Sequence, residues 1–197
     1  MGLTHVISET VLSSAGFFAF GFCLRKLNTI NRILWGTFIL SVAIAALFAA
    51  LRFGGFTEMG AFNLFFKQIA ASAGILFLLI GVFSLVAKKQ LSKKAAYSIF
   101  FLGFISSIIL ITFTLQKVID IIPTIGIPVV CIHGIWALRK RKFKIGFLLL
   151  LATLFSILAN FIQLLNLPLN QIDAYCILLA AALICFGLAG KNTEHLQ

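Results

Sequence analysis

Seven polar or charged side chains lie near the ends of long apolar stretches, where they could bind a small polar ligand. Acids attract cationic groups, bases supply the counter-charge and amides add hydrogen bonds. The seven are Glu9, Arg52, Lys67, Gln68, Asn160, Gln163 and Asp173. Charges and amides placed against hydrocarbon cost free energy, so they are usually kept for a pathway or a binding site. The residue types therefore predict a polar pocket, provided that the fold brings them to one level.

Three of these side chains lie deeper in their stretches than the others. Helical rise places Glu9, Asn160 and Gln163 roughly 5 to 8 Å below the rim, and Asn160 and Gln163 share a face by their i, i+3 spacing. An acid at such depth needs a partner, for which we expect Arg52. A second interpretation applies to Arg52 and Lys67: long charged side chains at helix ends extend to the interface and mark the membrane boundary.

The elements that must position these residues follow from composition. Hydrophobic residues make up 61% of the chain and charged residues 11%, and the mean hydropathy is +1.13. Such a chain would aggregate in water, whereas a membrane-spanning helix needs about 20 mostly apolar residues. No sustained alternation of the kind that a transmembrane barrel requires is present. The composition therefore predicts an all-α polytopic membrane protein.

The chain divides into seven predicted transmembrane helices that form a single domain over residues 1–197. The fifth is interrupted by Pro123 and Pro128, which membrane helices tolerate where neighbours satisfy the freed carbonyl groups. The predicted spans are Val6–Leu24, Ile33–Leu51, Lys67–Ala87, Ala95–Leu115, Ile121–Leu138, Ile145–Leu165 and Ile172–Gly190. Pairs of small residues four apart, such as Ala46 with Ala50 and Ala70 with Gly74, indicate close helix packing.

The distribution of charge predicts the orientation. Thirteen of the 16 Lys and Arg residues fall in alternate connections or in the tail, and four of the five acids fall on the opposite side. Since cations collect in cytoplasmic loops, we predict that the N-terminus is outside and the C-terminus cytoplasmic. Small size and this topology favour a bacterial inner membrane. The same loops explain the net charge of +11 and would meet anionic lipids, so we predict membrane lipids and no nucleic acid as partners.

The remaining polar groups give no motif for metal or cofactor chemistry. His133 lies about 9 Å above the cytoplasmic end of its helix, where a lone histidine is typical of a hydrogen-bonded core residue and a polar continuation of a transport route is the alternative. The histidines are too widely separated to share a metal, and we predict no cofactor. The four cysteines form no CxxC pair and are expected to be buried; they are Cys23, Cys131, Cys176 and Cys185.

Two short motifs and the helix count carry a resemblance. "ISET" in the first span and "LNQIDAYC" leading into the last resemble uncharacterised bacterial seven-helix proteins distantly related to the alkaline ceramidase and adiponectin-receptor group of membrane hydrolases. That resemblance implies a zinc ion held by three histidines, with Ser and Asp nearby. The start of the last span offers Asp173, Tyr175 and Cys176 and no histidine, so the resemblance implies a scaffold that has lost the zinc chemistry.

Three functions remain open at this point. The favoured one is binding or transport of a small polar solute or an amphiphilic molecule such as a lipid through an outward-facing pocket. A lipid-modifying hydrolase would need a nucleophile, for which Ser8 and Ser13 are the candidates. A non-catalytic sensor or assembly protein would need only the pocket and the basic loops. The sequence leaves enzymatic activity, the ligand and a homo-oligomeric state open.

Overall fold

Every regular element in the described part of the chain is a helix. The computed structural model describes residues 2–89, 91–164 and 171–192, apart from the side chains of residues 2, 26, 163 and 164. In chain order the elements are α1 (Gly2–Phe18), a π-helical turn (Ala19–Cys23), a 3₁₀ turn (Leu24–Lys26), α2 (Thr29–Phe53), α3 (Met59–Ile69), a second π-helical turn (Ala70–Gly74), α4 (Ile75–Ala87), α5 (Lys93–Thr112), α6 (Gln116–Arg139), α7 (Phe143–Leu164) and α8 (Gln171–Lys191). The predicted all-α fold is confirmed.

Seven helical segments within the described residues are long and apolar enough to cross a bilayer. Helices α3 and α4 count as one segment, Met59–Ala87, because the second π-helical turn joins them. The predicted number of spans is confirmed, and the chain is an integral membrane protein. The third segment begins at Met59 rather than Lys67, and α6 continues through Pro123 and Pro128.

The earlier start of the third segment is compatible with burial because a polar residue in its first turns has a partner on another helix. Asn63 would be costly to bury without a hydrogen-bond partner. Its side-chain amide donates to the carbonyl oxygen of Ala45 in α2 at 2.6 Å, and the residue is buried. Helix α2 therefore satisfies the polar group that made this stretch look less suited to a membrane span.

Small residues let the central helices approach one another. The alanines expected at interfaces in α2 are buried at Ala45, Ala46, Ala49 and Ala50. Their burial confirms the packing faces read from the sequence. Helix α5 behaves differently, because only 11% of its most apolar window is buried inside the protein. It lies at the periphery of the bundle.

The bundle has two chemically different ends. We call the end at which α1, α3, α6 and α8 begin the acidic end, since Glu9, Glu58, Asp120 and Asp173 lie nearest to it. We call the opposite end, with the loops after α4 and α6 and the end of α8, the basic end. Contacts at each end agree with this arrangement. The starts of α1 and α8 meet at the acidic end. At the basic end, Lys142 joins the loop between α6 and α7 to the end of α4.

A buried lysine ties the loop between α6 and α7 to the end of α4. Lys142 is 8% exposed, and its Nζ donates to the carbonyl oxygens of Leu85 at 2.9 Å and Val86 at 3.2 Å. These oxygens belong to the last turn of a helix, where no intrahelical donor reaches them and the helix dipole is negative. Burial, with the positive charges of Lys88 and Lys140 nearby, lowers the pKa of the Lys142 ammonium group. Lys142 thus joins the loop between α6 and α7 to the end of α4 at the basic end.

Replacing Lys142 with Met is expected to destabilise the protein by about 1–3 kcal/mol, because two buried carbonyl groups lose their donor. Thermal unfolding of the detergent-solubilised protein would measure the loss. Lys144→Met is the matched control, since Lys144 is exposed and lies two residues further on. Equal shifts in the two variants would show that the Lys142 hydrogen bonds contribute nothing.

Candidate functional site

One carboxylate at the acidic end holds two polar side chains of α1. Asp173 Oδ1 lies 2.9 Å from His5 Nδ1, and the Ser8 hydroxyl donates to the same oxygen at 2.6 Å. His5 and Asp173 are the only ion-pair partners closer than 4.0 Å among the described residues, with side chains 13% and 20% exposed. Ser8 is 5% exposed. The three side chains form a largely enclosed unit that fixes the start of α8 against α1.

The local sequence explains how this unit forms. His5 and Ser8 are three residues apart in a helix, so they lie on one face, and Glu9 lies on the same face four residues after His5. Asp173 is in the first turn of α8, where the positive end of the helix dipole stabilises a carboxylate. Packing of α1 against α8 then brings the polar face of one helix to the charged end of the other.

Glu9 lies beside this unit and interacts with a different residue of α8. Its carboxylate interacts with the Cys176 thiol, and the positive charges of Lys67 and Arg52 act favourably on it from α3 and α2. Neither base lies within 4.0 Å of Glu9, because the described residues contain no ion pair besides His5 with Asp173. Glu9 and Arg52 therefore form no ion pair closer than 4.0 Å, although the charge of Arg52 acts on the Glu9 carboxylate.

Arg52 is connected to the unit through an aromatic ring. Its guanidinium carbon lies 4.7 Å from the centroid of the Phe53 ring, and the Phe53 and His5 rings are 5.0 Å apart. A guanidinium over an aromatic face is attracted by the ring quadrupole. Arg52 is exposed, so its charge faces the approach to the unit rather than its interior.

We call His5, Ser8, Glu9, Asp173 and Cys176 the α1–α8 cluster. The Glu9 carboxylate has no cationic nitrogen closer than 4.0 Å in the described part of the chain. It can therefore accept hydrogen bonds from a bound molecule, and the Lys67 ammonium group, whose charge acts on Glu9, can donate them.

Gln68 belongs to a separate polar group. Its Nε2 donates to Gln116 Oε1 at 2.9 Å, and Gln116 in turn donates to Asp120 Oδ1 at 2.8 Å. This chain of hydrogen bonds is exposed and joins the third span to α6. Gln68 therefore has an interaction with α6 that explains its presence, and no contact joins it to the α1–α8 cluster within the described residues.

Of the two amides predicted in the sixth span, the structure describes the side chain of Asn160 only. Asn160 is exposed, and its Nδ2 donates to the carbonyl oxygen of Ser156 in its own helix at 2.8 Å. No hydrogen bond joins this amide to the α1–α8 cluster within the described residues, and its role in a pocket stays a prediction. Gln163 lies in α7, and its side chain is outside the described residues.

His133 is a hydrogen-bonded packing residue. Its Nδ1 lies 2.7 Å from the carbonyl oxygen of Val129, one turn earlier in α6. The ring also packs at 6.0 Å from Phe83 and from Trp136. These contacts agree with the interpretation of His133 as a core histidine.

The sequence reasoning missed His5 as a member of the site and treated Cys176 only as a small buried residue. Cys176 is fully buried, as predicted, but it also faces the Glu9 carboxylate. The spacing of His5, Ser8 and Glu9 at i, i+3 and i+4 was the signal that could have identified one polar face.

The geometry of the cluster differs from that of a metal site and from that of a Ser–His–Asp catalytic triad. The described residues contain no group of three or more His, Cys, Asp or Glu side chains with a geometry suited to a metal ion. In a Ser–His–Asp triad the imidazole stands between the hydroxyl and the carboxylate. Here Ser8 and His5 both contact Asp173 directly, so the carboxylate organises both side chains.

A seven-span integral membrane protein with a polar cluster at one end is the class that this structure defines. Residues 4–195 match the model of a family of unknown function, DUF6962. This match covers nearly the whole chain, which therefore belongs to that family. No curated protein and no solved structure matches the chain significantly. The resemblance to the ceramidase and adiponectin-receptor group stays a prediction from the sequence.

Proposed function

We propose that the chain binds or transports a small polar or amphiphilic molecule at the α1–α8 cluster. The observation that carries this proposal is the gathering of His5, Ser8 and Asp173 at the acidic end, with Glu9 beside them. A membrane protein that needed only a packed interface here could use small apolar residues. Polar groups at membrane depth are costly and are usually retained for function.

The charges suggest how a ligand would be held. Asp173 already accepts from His5 and Ser8, so its role is to position them. Glu9 would receive a cationic or hydrogen-bond-donating group, while Lys67 and Arg52 would attract an anionic one. A molecule with both kinds of group, such as an amino acid or a zwitterionic lipid headgroup, matches this arrangement.

The cluster faces the outside of the cell in this proposal. Cations dominate the opposite end of the bundle, and cationic loops remain cytoplasmic. A bacterial inner membrane is the location that we propose. Ligands would then enter from the external solution or from the outer leaflet.

Native mass spectrometry of the detergent-purified protein, prepared from its native membrane, tests this function. We expect the wild type to retain a bound molecule and Glu9→Gln to lose it, because the amide removes the charge that attracts the cationic group. Glu58→Gln is the matched control, since Glu58 is an exposed acid at the same end of the bundle. The proposal fails if all three proteins carry the same bound species, or if none carries any.

A lipid-modifying hydrolase is a second candidate, favoured by one observation. The Ser8 hydroxyl lies 2.6 Å from the Asp173 carboxylate, which could withdraw its proton during attack on an amide or ester. In that case the wild type would release fatty acid from long-chain lipid amides or esters, and Ser8→Ala would not. A non-catalytic sensor would show ligand retention with no such release.

A further inference from the structure

An apolar groove opens between α2 and α5, far from the α1–α8 cluster. Its volume is about 180 Å³, and its lining is almost wholly apolar. The lining residues are Ile30, Ile33, Leu34, Ala96, Tyr97 and Phe100. A polar occupant would lose its hydrogen bonds in such a groove, so the part of a ligand that fills it must be hydrocarbon.

The groove lies at the basic end, close to the level at which lipid headgroups begin. Helix α2 starts at Thr29 and α5 at Lys93, so the lining comes from the first two turns of both helices. At about 1.5 Å rise per residue, these turns cover only the outermost ~10 Å of each span. Tyr97 is 61% exposed, as is typical of an aromatic ring with a polar tip at the membrane interface.

Cationic side chains lie near the groove, on the side closer to the lipid headgroups. Lys93 precedes Ala96 and Tyr97 by three and four residues, which places its side chain on the same face of α5 one turn nearer the headgroups. Lys89 and Lys94 are exposed close by in sequence. Within the described residues no carboxylate pairs with any of the three, because the only ion pair there joins His5 to Asp173.

The loop before α5 is held against the same groove. Leu91, like the lining residues Ile30 and Phe100, packs against a small apolar cluster of Leu34, Ala73 and Phe77. This packing holds Leu91, two residues before Lys93, against the cluster that contains the lining residue Leu34. Lys93 is therefore held close to the groove by this packed neighbour and by its own place in the first turn of α5.

We propose that this groove is a binding site for an anionic phospholipid, with one acyl chain lying between α2 and α5. The phosphate is bound by Lys93, with Lys89 and Lys94 adding to the positive field. Two features select this occupant: the apolar lining requires a hydrocarbon chain, and the lysines beside the groove, which pair with no carboxylate among the described residues, favour a negative headgroup. Anionic lipids are enriched in the cytoplasmic leaflet, which the basic end faces in the predicted orientation. The site is independent of the function proposed for the acidic end.

Competition between lipids tests the site. The purified protein would be placed in nanodiscs of phosphatidylcholine containing a minor fraction of phosphatidylglycerol, and bound lipids counted by native mass spectrometry after mild release. We expect the wild type to retain one phosphatidylglycerol in preference to phosphatidylcholine. The double variant Lys93→Gln with Lys94→Gln should lower that preference roughly tenfold or more, given about 1 kcal/mol for each lysine near an anionic surface.

Two further variants distinguish a specific lipid-binding site from general electrostatic attraction of anionic lipids to the basic end. Arg139→Gln with Lys144→Gln removes the same charge from the basic end away from the groove, where both residues are exposed, and should leave the preference unchanged. Ile33→Trp fills the groove without changing charge and should abolish retention. Equal losses from the two double variants would overturn the proposal in favour of diffuse electrostatics. Full retention by a correctly folded Ile33→Trp would overturn the assignment of the acyl chain.

Discussion

Asp173→Ala is expected to destabilise the protein by about 1.5–3 kcal/mol, the range for hydrogen bonds to a charged group. The substitution removes the acceptor shared by His5 and Ser8. Both donors are mostly buried, so water cannot fully replace the lost carboxylate. Because these bonds join the start of α8 to α1, the first and last spans should separate at the acidic end. Thermal unfolding in detergent would report the loss of stability.

Asp120, another acid at the acidic end, provides a control that distinguishes the loss of these hydrogen bonds from a simple loss of negative charge. Asp120 is exposed, and its carboxylate accepts from Gln116 in the same helix. Asp120→Ala should therefore cost much less, within the range of roughly 0.5 kcal/mol that is common for surface substitutions. Comparable losses for the two variants would mean that Asp173 does not organise the junction between α1 and α8.

Gly16→Ala is the second prediction with a large expected effect. An added Cβ at Gly16 would lie 2.6 Å from the Cβ and 3.3 Å from the Cα of Ala43 in α2. Backbone and a short rigid side chain cannot move aside, so α1 and α2 must separate. Overpacking of this kind costs typically about 1–3 kcal/mol, which should exceed the gain in helix propensity on replacing a glycine.

Gly21→Ala provides the control for the same chemical change. Gly21 lies in the π-helical turn that follows α1, and no atom lies within 4 Å of a Cβ built there. We expect this variant to match or slightly exceed the wild type in thermal stability. If Gly16→Ala were as stable as Gly21→Ala, the close approach of α1 to α2 would be refuted.

The number of spans could be predicted from the sequence because each needs only a long apolar run. Their boundaries were harder to predict, as the third span shows. Its first turns contain Asn63, whose polarity is compensated only by the Ala45 carbonyl of another helix. A partner on a different helix has no signature in the local sequence, so the hydropathy of this stretch predicts a start at Lys67.

The site could be predicted only in part, for a related reason. Alternation of the spans places Glu9 and Asp173 at one end whichever way each helix is rotated. Rotation decides the contacts: it turns Asn160 toward its own backbone and brings His5 to Asp173. Composition and spacing along one helix do not determine the rotation of that helix against its neighbours. The sequence therefore predicts that Glu9 and Asp173 lie at one end of the bundle, but it does not predict that His5 pairs with Asp173.

Thiol labelling of intact cells tests whether the α1–α8 cluster at the acidic end is external and accessible. Glu9→Cys, a partly exposed position, would be treated with a membrane-impermeant maleimide and compared with the parent chain and with Lys144→Cys at the basic end. We expect labelling of Glu9→Cys before permeabilisation and of Lys144→Cys only afterwards. The reverse order, or no labelling of Glu9→Cys in either condition, would contradict an external and accessible cluster.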